Sequence, residues 1–168
     1  MDERFPRVAK TAKATPEVAA FFDAATSTLT YVVTSPETNQ CTIIDPVLDY
    51  DEASASVSTA SDDNVVRYVR ENSLCVDYIL ETHVHADHLS GAHYLRRHLG
   101  GLVGIGAEIT GVQSTIAEIY SDSSPLARNG SQFDVLLEDE HRLAFGSLDI
   151  RVLHVPGHTP GCVAYLIG

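Results

Sequence analysis

The feature that most constrains this chain is a short apolar segment, VDYIL (residues 76–80), which is followed at once by a dense group of histidines. A short and nearly all apolar run is typical of a strand that is covered on both faces. Four of the eight histidines of the chain then fall within ETHVHADHLSGAH (81–93). Beyond them Ala92, Leu95 and Leu99 recur at helical spacing, so the histidines are predicted to lie on a loop between a buried strand and a helix.

Strand and helix patterns alternate along the rest of the chain, which predicts an α/β domain. A helix is expected from the capping and acidic residues at 61–63 to Asn72, because Val65, Val66 and Val69 share one face. A second amphipathic helix is expected over 109–119, and residues 121–132 are predicted to form a polar loop. The remaining predicted strands are LTYVVT (29–34), CTIID (41–45), LVGIG (102–106), HRLAF (141–145), LDIRVLH (148–154) and CVAYLIG (162–168).

Composition narrows the classes of function. With 168 residues and 44% hydrophobic content, the chain suits one domain with a real core. Its 11 basic and 23 acidic residues give a charge of −12 and no basic block, so nucleic acid is not an expected partner. No apolar run reaches a membrane span and no signal peptide is recognised, so no membrane partner and a cytoplasmic location are expected. The three cysteines form no CxxC pair, which argues against disulfides and thiolate zinc.

The spacing within the cluster, His83-x-His85-x-Asp87-His88, is suited to metal binding. Residues two apart in an extended segment project to the same side, so His83 and His85 can approach one ion together. After the backbone turns, Asp87 and His88 point to a neighbouring position, which would serve the same ion or a second one. Imidazole and carboxylate suit zinc, iron or manganese. The alternative is that these side chains cap the next helix or lie exposed on a polar loop.

A second group, HVPGHTPG (154–161), supplies the natural third imidazole. Its prolines and glycines fix the loop, so His158 is expected to point in one direction and to ligate the metal. His154 alternates with Ile150 and Val152, which favours a packed or hydrogen-bonded strand histidine. No site role is expected for His98 and His141, or for His93 beyond support of the site from outside the ligand set.

Together, THVHADH after a buried strand and PGHT some seventy residues later resemble the metallo-β-lactamase superfamily. The resemblance runs from about Leu29 onward and implies an αββα sandwich with its metal site at one edge of two sheets, preceded by an N-terminal extension over 1–28. Within the superfamily, the segments TIIDPVLDYD, STAS and GHTPGCVAYLIG are most similar to persulfide dioxygenases and glyoxalase II-like proteins. The first two segments favour the dioxygenases.

The resemblance also implies roles for individual residues. In the dioxygenases a single iron would be held by His83, His158 and a later aspartate, with His85, Asp87 and His88 around it. In the dinuclear zinc hydrolases these three ligate metal as well. The candidate metal ligands are therefore His83, His85 and His158, and the candidate catalytic residues are Asp87 and His88. Asp45 matches an acidic position that supports the site, although a turn before Pro46 explains it equally well.

The same resemblance places the aspartate ligand and the glutathione-contacting residues after Gly168, so residues 29–168 are expected to be a partial, C-terminally truncated domain. The expected activity of the intact enzyme is Fe²⁺-dependent oxidation of glutathione persulfide, or of a similar small persulfide, by dioxygen to sulfite and thiol. A glyoxalase II-type zinc hydrolase acting on thioesters is one alternative, and a non-catalytic fragment is another. A homodimer is compatible with each of these.

Overall fold

A computed structural model describes residues 15–120 and 127–168 of the chain. The helices are α1 (Ala60–Glu71), α2 (Ala92–Leu99) and α3 (Ile109–Ile119). The strands are β1 (Glu17–Asp23), β2 (Thr28–Thr34), β3 (Gln40–Ile44), β4 (Val47–Asp51), β5 (Ser56–Ser58), β6 (Cys75–Leu80), β7 (Leu89–Ser90), β8 (Leu102–Gly106), β9 (Val135–Leu137), β10 (Arg142–Phe145), β11 (Leu148–His154) and β12 (Val163–Ile167).

The main sheet has six strands in the order β1-β2-β3-β6-β8-β9. β1, β2 and β3 pair antiparallel, whereas β3, β6, β8 and β9 run parallel to one another. The nearly continuous apolar runs of β3 and β6 fit the centre of this sheet, where both faces are covered. Because β3 and β6 are parallel neighbours, the segments that follow them emerge at the same edge of the sheet.

Each face of the main sheet packs against a different layer. On one face the valines of α1 and Leu95 of α2 meet Ile43 and Ile79 of the sheet. On the other face Leu80 and Leu137 contact the second sheet, β10-β11-β12, through a cluster that includes Phe145 and Ile150. This helix, sheet, sheet layering is the α/β architecture expected from the sequence. None of the helices in the described residues is long and apolar enough to cross a membrane.

Three parts of the fold depart from the sequence-based expectations. The stretch between β3 and α1, for which no strand was predicted, forms the antiparallel pair β4 and β5, and β4 also pairs with β7. β9 was not expected, because its three residues are too few to show a period. The first turn of α1 is acidic, as expected, but its N-cap residue is Thr59 and its Asp62 is buried.

The N-terminal part of the chain contributes to the main sheet. β1 lies within the expected extension of residues 1–28 and pairs with β2 along its whole length. The boundary between such an extension and a domain over 29–168 remains a prediction, and residues 1–14 and 121–126 lie outside the described part. The expected strands at 29–34, 102–106 and 148–154 are confirmed to within one residue, as is the end of α1 at Asn72.

Candidate metal centre

The candidate site lies where β3 and β6 end side by side. Asp45 follows β3 directly, and its backbone N–H donates to the carbonyl oxygen of Leu80, the last residue of β6, at 2.9 Å. The Asp45 side chain then turns toward the loop after β6. It accepts hydrogen bonds from the Thr82 N–H at 2.7 Å and from the Thr82 hydroxyl at 2.8 Å. Asp45 therefore supports the histidine loop, and it does so from a left-handed backbone conformation (φ 49°) that aspartate tolerates better than most residues.

Two carboxylates hold the same nitrogen of His85. Its Nε2 lies 3.1 Å from Oδ1 of Asp45 and 3.3 Å from Oε2 of Glu81. Burial alone would lower the pKa of His85, but the hydrogen bonds to Asp45 and Glu81 outweigh it and raise that pKa to about 9. Burial tends to raise the pKa of Asp45, yet its bonds to His85 and Thr82 hold it below the ordinary value.

Four imidazoles converge at this edge. The ring centroid of His83 lies 4.1 Å from that of His85 and 4.9 Å from that of His158, and His85 lies 4.0 Å from His88. Burial and the nearby positive His85 lower the pKa values of His83 and His88. Both rings are therefore neutral at neutral pH, which is the form that binds metal.

Asp87 and His88 lie beside this group on the same loop. Asp87 Oδ1 is 3.8 Å from Nδ1 of His85 and 3.5 Å from Nδ1 of His88. The other Asp87 oxygen accepts a hydrogen bond from the hydroxyl of Thr28, at 3.2 Å, from the start of β2. Although burial opposes the shift, backbone hydrogen bonding, His88 and Thr28 keep the pKa of Asp87 below its ordinary value. The carboxylate is thus ionised and partly exposed, next to a buried imidazole.

His158 reaches the cluster from the second sheet. The loop that carries it is tied to the histidine loop by the Val163 N–H, which donates to the carbonyl of Thr82 at 2.9 Å. Within the loop, Sγ of Cys162 accepts from the Thr159 N–H at 3.2 Å and lies 3.1 Å from the Thr159 hydroxyl. Nε2 of His154 donates to the carbonyl of Pro160 at 2.8 Å, so His154 is a hydrogen-bonded strand histidine, as its register indicates.

A buried carboxyl group, Asp62, lies behind the histidine loop. Its two oxygens are inaccessible to solvent and have no hydrogen-bond partner among the described residues. Burial, and secondarily the nearby Asp49, raise the pKa of Asp62 to about 7. The carboxyl group presses against Gly91, where an added Cβ would come within 2.1 Å of an Asp62 oxygen. Gly91 is therefore required at the start of α2.

The donor set fits a divalent metal ion. Both ring nitrogens of His88 are buried without a hydrogen-bond partner in the described part of the chain, which is costly unless another ligand satisfies them. Ligand atoms of His85, Asp87 and His88 all lie within 4.8 Å of one another. His83 and His158 face each other across the adjacent space. Imidazole with carboxylate is a common donor set for zinc and for non-haem iron.

The structure brings together all the candidate residues named from the sequence: His83, His85, His158, Asp87 and His88. His98 lies apart, stacked on Tyr94 at 4.2 Å between ring centroids. Sequence reasoning did not identify Glu81, Thr28 or Asp62 as part of the site. Glu81 could have been identified from the sequence, because it is a charged residue directly between the apolar strand segment VDYIL and the motif THVHADH. Thr28 could not, since its contact with Asp87 depends on how the β1–β2 hairpin folds over the loop.

Comparisons with known proteins agree with this geometry. The sequence model of the metallo-β-lactamase superfamily matches residues 24–168. A probable metallo-hydrolase of Burkholderia pseudomallei is 45% identical over 150 residues, covering 89% of this chain and 51% of that protein. Glyoxylase B2 of Dictyostelium discoideum is 42% identical over 137 residues, covering 81% of this chain and 47% of that protein. The chain thus spans about half the length of these two relatives.

Among solved structures, ETHE1 from Myxococcus xanthus is similar with a TM-score of 0.66 and 28% sequence identity, over 90% of this chain and 54% of that one. The metallo-β-lactamase sandwich predicted from the sequence is confirmed as the fold class. With a family match that covers most of its length, the chain belongs to the metallo-β-lactamase superfamily.

Proposed function

We propose that the protein is a persulfide dioxygenase, which uses Fe²⁺ and dioxygen to oxidise a small thiol persulfide such as glutathione persulfide to sulfite and the free thiol. The observation that carries the proposal is the pairing of His83 and His158, with ring centroids 4.9 Å apart, in a chain whose segments TIIDPVLDYD and STAS resemble those of persulfide dioxygenases and whose fold is similar over 90% of its length to ETHE1 from Myxococcus xanthus. Because the chain spans only about half the length of these relatives, the proposal concerns the whole protein.

The residues of this chain would have different roles, according to where each lies in the site. His83 and His158 would hold the iron from the two sheets, and His85 would complete the imidazole group on the side of the main sheet. Bound ferrous iron would supply sites at which a persulfide sulfur and dioxygen can meet. Asp87, anionic and partly exposed, would accept a proton from the incoming persulfide or orient it. The neutral ring of His88 lies next to that carboxylate and would share its proton.

A dinuclear zinc hydrolase acting on thioesters is the second candidate. The observation that favours it is the group of His85, Asp87 and His88, whose ligand atoms lie within 4.8 Å of one another and could hold a second ion. Two bound zinc ions would lower the pKa of a bridging water and make it a nucleophile at neutral pH. The names of two relatives, a metallo-hydrolase and a glyoxylase, are compatible with this candidate.

The test is oxygen consumption by the purified chain and by a full-length relative, each loaded anaerobically with Fe²⁺ and given glutathione persulfide. We expect uptake of dioxygen with matching sulfite in at least the full-length protein, and little hydrolysis of a glutathione thioester in either metal form. Thioester hydrolysis by the zinc-loaded protein without oxygen uptake by the iron form would overturn the proposal in favour of the hydrolase.

Matched variants connect the activity to the site. H83A removes an imidazole from the cluster and is expected to abolish both iron retention and oxygen uptake. H93A removes an exposed histidine of α2 that takes no part in the cluster, and it should leave both unchanged. Equal loss in the two variants would place the activity elsewhere in the protein.

A further inference from the structure

One buried carboxylate near the metal centre has no role in the proposed chemistry. Glu81 is the first residue after β6, and only 3% of its surface is exposed. Its Oε2 lies 3.3 Å from Nε2 of His85 in an ion-pair contact, and that oxygen has no hydrogen-bond partner in the described residues. A carboxylate is buried at this depth only when a partner compensates for the lost hydration. His85 is the partner that the geometry provides.

The opposite oxygen of Glu81 is anchored to α2. Oε1 accepts a short hydrogen bond from the hydroxyl of Ser90, and the same hydroxyl accepts from the Ala92 N–H at 3.1 Å. The carboxylate therefore cannot rotate away from His85 without breaking its tie to the start of the helix. Asp45 is fixed in a similar way by Thr82, at 2.7 and 2.8 Å. His85 thus meets two carboxylates whose positions are set independently, one by α2 and one by the histidine loop.

We propose that Glu81 is a positioning residue for the metal centre: with Asp45, it holds the Nε2–H of His85 so that Nδ1 is presented to a divalent metal ion. The proposal rests on the proposed metal centre but not on the reaction that the centre catalyses. A ring that donates Nε2–H to a carboxylate keeps its lone pair on Nδ1, and the carboxylate makes that nitrogen a stronger ligand. Nδ1 is also the nitrogen that faces Asp87, at 3.8 Å.

Two carboxylates restrain the ring of His85 more than one carboxylate could. A single carboxylate fixes the tautomer of a histidine but leaves the ring free to tilt about that contact. With Asp45 in hydrogen-bond contact and Glu81 in ion-pair contact from a different element, the ring plane is restrained as well, and metal affinity depends on such restraint. We therefore expect loss of either carboxylate to weaken metal binding while the other keeps His85 in place. The number of ions bound should not change, because Glu81 itself does not touch the metal.

The experiment is a Co²⁺ titration of the purified chain, followed by the visible absorption of the bound ion, for the unmodified protein, E81Q and D45N. We expect E81Q to weaken Co²⁺ binding about tenfold at unchanged stoichiometry, with a shifted absorption spectrum. The proton on Nε2 of His85, observed by nitrogen-edited NMR, should also shift. E140Q is the control, because it removes a carboxylate from an exposed ion pair with Arg151 of the second sheet.

Several outcomes would overturn the inference. Unchanged affinity in E81Q, or an unmodified chain that binds no Co²⁺, would show that Glu81 positions no ligand. Loss of one whole equivalent of Co²⁺ would make Glu81 a ligand, as the 4.8 Å spacing of Asp45, Glu81 and His85 also allows. If E81Q does not fold, E81D replaces it as the test variant. E81D keeps the negative charge on a side chain that is one methylene shorter, so normal Co²⁺ affinity in E81D would contradict the positioning role. A chain with normal Co²⁺ binding but no oxygen uptake would defeat only the proposed function.

Discussion

The loop after β6 and the loop before β12 bring imidazoles to the same place by different physical means. Residues 81–90 are ordered by buried charge, since Asp45 and Glu81 hold His85. Residues 155–162 are ordered by backbone geometry, with two prolines, two glycines and neutral hydrogen bonds such as the one from the Thr159 N–H to Sγ of Cys162. His158 is exposed, whereas the side chain of His88 is fully buried.

The difference determines how each loop responds to change. A loop ordered by buried charge depends strongly on each partner, because removing one leaves the other charged and unpaired in a medium of low dielectric constant. A loop ordered by proline, glycine and neutral hydrogen bonds loses about 1 kcal/mol for each contact removed. Substitutions should therefore have large and pH-dependent effects on the first loop and small effects on the second.

The largest effect is expected for D45N. Asparagine also adopts the left-handed backbone conformation at this position, so the substitution isolates the charge. With His85 deprived of one of the two carboxylates that raise its pKa, the free energy of unfolding should fall by about 3 kcal/mol, as measured by urea denaturation at pH 7. D51N is the control, because Asp51 accepts its hydrogen bonds from Ser54 in an exposed turn. Equal effects of the two substitutions would contradict the importance of buried charge.

The second-largest effect is expected on the pH dependence of the free energy of unfolding, through Asp62. The pKa of this carboxyl is raised from 3.8 to about 7 in the fold, so the folded state holds the proton more tightly than the unfolded state. Its contribution to stability is therefore present below pH 4 and is lost as the pH rises toward 7, by at most roughly 4 kcal/mol. D62N should remove this part of the pH dependence of unfolding.

Asp63 provides a control, because its pKa is shifted in the direction opposite to that of Asp62. Its pKa is lowered, first by the hydrogen bond from the hydroxyl of Tyr94 and then by that from Thr59. Its contribution is present above its unfolded pKa and is lost as the pH falls below it, so D63N should reduce stability at neutral pH and not in acid. If D62N and D63N change the pH profile of unfolding in the same direction, the burial of Asp62 does not act as described.

A smaller effect is expected in the loop of His158. C162A removes the acceptor for the Thr159 N–H and should lower the free energy of unfolding by about 1 kcal/mol, with a slightly larger loss if the backbone cannot find another acceptor. Co²⁺ affinity should fall by no more than about threefold, because the prolines still restrict the loop. C75A, at an exposed cysteine, is the control. An effect on affinity as large as that of D45N would remove the contrast between the loops.

The smallest effect is expected for T28V, which deletes the hydroxyl that contacts Asp87 without changing the size of the side chain. The contact is exposed, so the free energy of unfolding should change by about 0.5 kcal/mol or less in thermal melts. A loss above that of C162A would show that the hairpin turn between β1 and β2 is part of the ordered site.

Much of the site could be predicted from the sequence, because its ligands are carried by two short motifs with fixed spacing. His83, His85, Asp87 and His88 share one loop, and His158 lies between prolines, so local pattern and turn chemistry identify them. Strands β3 and β6 could be predicted from their apolar runs, whereas their parallel pairing, which places Asp45 and the histidine loop at one edge, is a finding of the structure.

The rest depended on tertiary contacts that no local pattern encodes. Asp62 has the spacing of an acidic first turn, and only its packing against Gly91 shows that it is buried. β4 and β5 are rich in serine and aspartate, which favour loops, and they become strands because β7 supplies a partner for β4. β1 was missed for a similar reason, since β2 supplies its hydrogen bonds.

The contact between Val163 and Thr82, at 2.9 Å, is where the two sheets meet beside the imidazoles. Because His83 comes from one sheet and His158 from the other, a bound ion would be a reversible cross-link between the halves of the sandwich. Such a link stabilises the folded state by mass action, by about 2.7 kcal/mol when free metal is at a hundred times its dissociation constant. Metal supply would then govern how long the protein persists in its folded form, as well as whether the site is loaded.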